Sequence, residues 1–170
     1  LLKLAGFLRY SLDRQPTALA NLSAELEAQR KYLEIEQTRF DDKLKVHFEI
    51  EPGLENAKLP SLILQPILEN AIKYAVTPSV NGGSVAVSAH RDGEVLRIVV
   101  EDDGPGLPSE EARPRRRGVG LANIRERLEL IYGQRAGLIA RNREPRGCRI
   151  ELYLPLEEDS VRPTPAPALS

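Results

Sequence analysis

Hydrophobic and polar positions change period several times along the chain, and each change marks a new element. Leu1, Leu4, Leu8 and Leu12 recur at three or four residues, the spacing of one helical face, over residues 1–13. Arg14, Gln15, Pro16 and Thr17 break that pattern. A second helix is expected from about 22 to 40. Asn21 stands where its N-cap belongs, Leu22, Leu26, Leu33 and Phe40 form an apolar stripe, and Glu25, Glu27, Arg30 and Lys31 are expected to face outward. The pair reads as a helical hairpin whose stripe packs on another copy or on a neighbouring domain, or else as two ordinary core helices.

After Asp41 and Asp42 the period falls to two. Leu44, Val46, Phe48 and Ile50 alternate with Lys45, His47 and Glu49, a half-buried strand that Pro52 and Gly53 end. A helix is expected over 61–75, followed by a turn region holding Pro78, Gly82 and Gly83. Strands 84–91 and 94–101 are joined by Asp92 and Gly93, a hairpin signal. A loop rich in Gly, Pro and Arg covers 102–117, a helix runs over 119–132, and Gly133 stops it. Strands 137–143 and 148–154 complete a last hairpin, and the tail 160–170, with Pro163, Pro165 and Pro167, is expected to be disordered. This order of elements gives an α+β body with a mostly antiparallel sheet and helices on one face.

Composition narrows the class. The chain has 170 residues, 41% of them hydrophobic, enough for a sizeable core and too many for a wholly disordered chain. Lys and Arg total 24 against 25 Asp and Glu, so no net basic field for nucleic acid exists. One cysteine, Cys148, excludes an internal disulfide framework and fits a reducing, cytoplasmic compartment. No apolar run reaches the roughly 20 residues that span a membrane, so direct membrane contact is not expected. Methionine is absent and the chain opens on Leu1, Leu2 and Lys3 inside a helical pattern, which suggests a piece of a longer protein.

Three short motifs carry chemistry. In the first, Gln65-Pro66-Ile67-Leu68-Glu69-Asn70-Ala71-Ile72-Lys73-Tyr74, helical spacing puts Glu69, Asn70 and Lys73 on one face. An amide oxygen can ligate a hard cation, an ammonium can contact phosphate, and a carboxylate can orient or deprotonate a nucleophile; a solvated polar face is the bland alternative. The second, Asp102-Asp103-Gly104-Pro105-Gly106, follows an apolar strand. A carboxylate there can accept from a ligand's amine and glycines let backbone approach closely, while a plain Pro-Gly turn explains it equally. The third, Gly118-Val119-Gly120-Leu121, opens a helix and presents unpaired N–H groups to an anion, or is simply a turn leading into that helix. It is not a Walker loop.

Their order resembles the ATP-binding domain of the GHKL superfamily, which includes gyrase, the heat-shock chaperone, histidine kinases and MutL. The first motif is similar to its N box and the other two to its glycine boxes. Tyr32-Leu33-Glu34-Ile35-Glu36 with Arg39-Phe40, Leu64-Gln65-Pro66, and Leu121-Ala122-Asn123-Ile124-Arg125-Glu126-Arg127-Leu128 with Tyr132-Gly133 resemble the sensor histidine kinases related to LytS. The resemblance runs from about residue 8 to 155. It implies a two-layer α/β sandwich with a mixed, mostly antiparallel sheet covered by helices on one face. It also implies a division into a dimerisation-hairpin remnant (1–40), a catalytic domain (41–157) and a tail (158–170).

The resemblance further implies ATP and Mg²⁺ as cofactors. Asp102 would bind the adenine amino group, Asn70 would ligate Mg²⁺ through the phosphates, and Glu69 would be the catalytic base or orienting carboxylate. Lys73 and Tyr74 would approach the nucleotide, although many relatives carry His at the position of Tyr74. Gly104 and Gly106 would shape the adenine pocket, and Gly118, Gly120 and Leu121 would lie at the phosphates. Residues 107–117 would form a lid, with Arg113, Arg115, Arg116 and Arg117 at the phosphates or in solvent. Cys148 stands where relatives often carry Thr.

The activity implied is transfer of the ATP γ-phosphate to a histidine of a homodimeric, membrane-anchored parent kinase, then relay to a response regulator receiver domain. His47 and His90 lack the sequence setting of a phosphoacceptor and read as surface histidines, so the acceptor is expected upstream of Leu1. The alternatives are a serine kinase or anti-sigma factor of the same fold, a catalytically silent ATP-binding module, and a non-nucleotide interaction domain.

Overall fold

The computed structural model describes residues 17–107 and 119–158. The helix expected over 1–13, most of the lid, Gly118 and the tail lie outside the described residues.

The elements, in order, are β1 (Leu19–Asn21), α1 (Leu22–Arg39), β2 (Leu44–Ile50), β3 (Lys58–Pro60), α2 (Gln65–Ala71) with a π turn (Ile72–Val76), β4 (Gly83–Asp92), β5 (Val95–Asp102), α3 (Val119–Tyr132), β6 (Gly137–Asn142) and β7 (Cys148–Pro155). Five strands form one mixed sheet in the order β2-β4-β5-β7-β6. Only the β2–β4 pair is parallel, and the others are antiparallel. The short strands β1 and β3 pair separately and were not expected from the sequence, because three residues are too few to show a period.

Strand alternation assigns each side chain to a face. Val87 pairs with Val100 and Ala89 with Ile98, and Ile98 in turn pairs with Leu152, which pairs with Leu138. These residues form the inner face, where they join Leu64, Ile67 and Leu68 of α2 and Ile124 and Leu128 of α3 in one core. The outer face carries Arg97, Glu101, Arg149 and Glu151 as a ladder of ion pairs.

Leu22, Leu26 and Leu33 belong to this same core, the outcome that the neighbouring-domain and core-helix readings of the stripe allow. One expectation for α1 is corrected. Glu25 does not face outward; it is only 2% exposed. Arg30 explains part of the helix's placement, since its guanidinium lies 3.9 Å above the Phe48 ring on β2. Asn21 does occupy the N-cap position, but its side chain makes no capping bond. The amides of Leu22 and Ser23 donate instead to the carbonyls of Ala57 and Glu55.

The helix expected over 61–75 begins at Gln65, four residues late, with Pro66 in its first turn. Leu62 has φ 55°, the left-handed region, which no helix tolerates. The helix ends in a π turn in which the Thr77 amide donates to the Ile72 carbonyl. Gly133 sits at φ 60° where α3 stops, as its sequence position suggested.

Candidate functional site

Alternation along β5 selects one of two adjacent aspartates. Leu96, Ile98 and Val100 point into the core, so Asp102 is the last inward position of the strand. Its Oδ1 accepts the Gly104 amide at 3.0 Å and the Cys148 amide at 3.2 Å. Burial pushes this carboxyl above the usual aspartate range, opposed by those two amides. Asp103 turns away and accepts the Ser84 amide at 2.8 Å, tying the loop to the start of β4.

Gly104 is buried against the π turn. A Cβ added to it would lie 2.5 Å from the Cβ of Ala75 and 2.7 Å from its Cα, so only glycine permits this approach. Gly106 holds φ 86°, and the next amide, that of Leu107, donates to Asn142 Oδ1 at 2.6 Å. Along the side of α2, Gly120 in the first turn of α3 lies beside Pro66 and Asn70. Its added Cβ would sit 3.7 Å from Pro66 Cβ and 3.9 Å from Asn70 Nδ2, ordinary contact distances. The second and third motifs therefore both meet the first, one at the π turn that ends α2 and one along its Pro66–Asn70 side.

Glu69 and Asn70 are half-buried on α2, and Glu69 accepts from Gln65 Nε2 at 3.2 Å. Lys73 and Tyr74 lie in the π turn, the ammonium 5.2 Å from the centre of the Tyr74 ring. Such turns recur at functional sites because they re-aim side chains that a regular helix would place elsewhere. Leu121 packs partly against the core. Gly118 and the lid arginines fall outside the described residues.

The β6–β7 turn contributes residues that sequence reasoning missed. Arg143 Nη1 donates to the Asp102 carbonyl at 2.9 Å, and Arg146 Nε donates to the Gly104 carbonyl at 3.2 Å. Gly147 has φ 113°, and any Cβ there would run into the Asp102 carbonyl. Cys148, a buried thiol, reaches Asp102 through its main chain, so the exchange of Thr for Cys leaves that bond untouched. A signal existed: the strand partner of the Asp102 end is the start of β7, just past the turn of the last hairpin, and both segments carry glycine.

Residues 55–158 match the family described as histidine kinase-, DNA gyrase B-, and HSP90-like ATPases. The chain belongs to this family. Residues 1–44 match a second family, described as histidine kinase. Among curated relatives, the sensor histidine kinase YesM of Bacillus subtilis is 32% identical over 92% of this chain and 27% of its own length. The sensor histidine kinase YpdA of Escherichia coli is 34% identical over 93% of this chain and 28% of its own length. The chain thus spans less than a third of those relatives. The solved catalytic domain of histidine kinase ThkA overlays with a TM-score of 0.63 at 20% identity, covering 82% of this chain and 95% of that domain. That likeness concerns the fold.

Proposed function

We propose that this chain is the ATP-binding catalytic domain of a two-component sensor histidine kinase. The observation that carries the reading is Asp102. Its Oδ1 is held by two main-chain amides, which leaves Oδ2 at the end of the inner face as an acceptor for the adenine amino group. Gly104 and Gly106 let the loop after Asp102 pack against Ala75 and Asn142, and burial raises the affinity of the Asp102 carboxyl for protons.

The phosphates would lie at the N-terminus of α3, where Gly120 and Leu121 present main-chain amides and the positive end of the helix; Gly118 directly precedes that helix in sequence. Asn70 adjoins Gly120, so its side-chain oxygen would reach a cation held between phosphates. Among the described residues no three His, Cys, Asp or Glu converge as a metal cage. The Asn70 amide oxygen is a hard donor of the kind that suits Mg²⁺, which keeps waters and phosphate oxygens as most of its ligands. When bound, Mg²⁺ supplies charge neutralisation at the β- and γ-phosphates. Glu69 would accept or orient the proton of the attacking imidazole, and Lys73 and Tyr74 would border the nucleotide. The P–O bond to ADP breaks as an N–P bond to the acceptor histidine forms.

His47 and His90 stand at outer-face positions of β2 and β4, in register with Glu101 and Arg97 and on the opposite face of the sheet from Asp102. We therefore assign the acceptor to a histidine of the parent chain that is not in this sequence. The solved complex of ThkA with the response regulator protein TrrA, a TM-score of 0.64 from this chain at 18% identity, supports a response regulator as partner, and an aspartate of its receiver domain would be the next acceptor. We propose further that the parent is a homodimer anchored in a membrane with this domain in the cytoplasm.

The test is binding of a non-hydrolysable ATP analogue with and without Mg²⁺, followed by incubation with ATP and a separate polypeptide carrying the parent's upstream helix. Mg²⁺-dependent binding and acid-labile phosphate on that helix are expected. Absence of Mg²⁺-dependent binding overturns the nucleotide reading, and binding without acid-labile phosphate overturns the kinase reading alone.

A further inference from the structure

Glu25 is a buried carboxylate that the phosphoryl-transfer reading does not use. It lies in the first turn of α1, yet that turn's leading amides are already taken by the Ala57 and Glu55 carbonyls. Its side chain crosses instead to the segment before α2. Oε2 accepts the Leu62 amide at 2.7 Å, and Oε1 accepts the Leu64 amide at 3.0 Å. Leu62 is the residue held at φ 55°. Left-handed backbone at a leucine persists only where its surroundings enforce it.

The same segment is gripped from its carbonyl side. Arg127 of α3 donates through Nη1 to the Ser61 carbonyl at 2.6 Å and through Nη2 to the Ala18 carbonyl at 3.3 Å. Its guanidinium also acts electrostatically on Glu25. Residues 61–64 are thus fixed between a carboxylate from α1 and a guanidinium from α3. The next residue, Gln65, starts α2, which carries Glu69 and Asn70. A buried carboxylate is costly, and an apolar side chain would fill the space with less penalty. What an apolar residue cannot do is accept two main-chain amides in a strained segment.

We propose that Glu25 is a positioning residue of the nucleotide site. With Arg127 it sets the start of α2, and through it the placement of Asn70 against Gly120, so that a displacement of α1 is transmitted to both phosphate-side helices. The inference rests on the reading of this site as a nucleotide site.

The test uses the full 170-residue chain and a fluorescent ATP analogue with Mg²⁺, alongside urea unfolding and amide exchange at Leu62 and Leu64. Glu25→Gln keeps the size of the side chain but replaces one acceptor oxygen by a donor. It is expected to weaken binding by the folded protein about tenfold, with faster exchange at both amides. Leu62→Gly frees the left-handed conformation from strain, and combined with Glu25→Gln it is expected to restore a good part of the lost affinity. A role confined to stability would lower the urea midpoint and leave affinity of the folded protein unchanged; affinity of Glu25→Gln within about twofold of the parent therefore overturns the inference. If Glu25→Gln does not fold, Arg127→Lys decides, because an ammonium cannot span the Ser61 and Ala18 carbonyls as a guanidinium does. Parental affinity in that folded variant overturns the inference, and weakened affinity supports it. Failure of the unmodified chain to bind the analogue is a different result, which overturns the nucleotide reading and the inference with it.

Discussion

Asp102→Asn separates binding from folding at the centre of the proposed adenine pocket. The amide oxygen of the variant can still accept from the Gly104 and Cys148 amides, which reach Oδ1 at 3.0 and 3.2 Å. The other oxygen, however, becomes an NH₂ group. A ligand amine that met an acceptor would now meet a donor, so one hydrogen bond to a charged group is lost and two donors face each other. Together these cost about 3 kcal/mol, or roughly a hundredfold in affinity. Stability moves the other way. Burial raises the folded pKa of Asp102 above its ordinary 3.8. The carboxyl's contribution to stability is therefore full below that value and is lost as pH rises through its folded pKa, so at neutral pH the parent bears the burial penalty and the variant does not. The expected outcome is a urea midpoint equal to or above the parent's at neutral pH, with nucleotide affinity down about a hundredfold by calorimetric titration. Affinity within about threefold of the parent, in a folded variant, would refute the assignment of Asp102 as the adenine acceptor.

Other substitutions probe the neighbouring contacts. Gly104→Ala drives a methyl group to 2.5 Å from the Ala75 Cβ and should cost about 1–3 kcal/mol; scanning calorimetry should show the unfolding temperature falling by roughly 2–4 °C per kcal/mol, and an unchanged temperature would contradict the close packing. Asn70→Ala should weaken nucleotide binding about tenfold with Mg²⁺ present and little when EDTA removes it, on the cost of one lost ligand to a charged group; equal losses in both conditions would remove Asn70 from the cation. Tyr132 buries a hydroxyl that finds no partner among the described residues, and burial raises its pKa from 10.0 to about 12. That group's contribution to stability is full below pH 10 and disappears as pH climbs toward about 12. Tyr132→Phe should therefore match the parent within about 1 kcal/mol near neutral pH and lose less stability in the alkaline range, while parallel urea midpoints up to that range would show that the phenol is not desolvated.

What the sequence revealed and what it hid divide along the range of the interactions. Strands β2, β4, β5 and β7 carry their burial as a period of two, and α3 carries Ile124 and Leu128 four apart, so both the sheet and its covering helices follow from neighbours in sequence. The choice of Asp102 over Asp103 came from the family resemblance, and the alternation of β5 agrees with it, since its inward positions reach 102 and miss 103. Glu25 was not legible. In a helical wheel it flanks Leu22 and Leu26, and charge alone assigns it to solvent. Its burial depends on the amides of Leu62 and Leu64, which precede α2 and donate to its two oxygens. The late start of α2 agrees with Pro66, which a first turn tolerates but which would clash with the Leu62 carbonyl in a helix begun at Ser61. The misplaced helix boundary and the misplaced glutamate are thus linked: a helix begun at Ser61 would satisfy Leu64's amide within the helix and leave Glu25 one of its two donors at most. An apolar stripe interrupted by an acid beside a segment that should be helical and is not is therefore a pattern to search for in other chains. It marks a place where a charged side chain closes the hydrogen bonds of a distant loop.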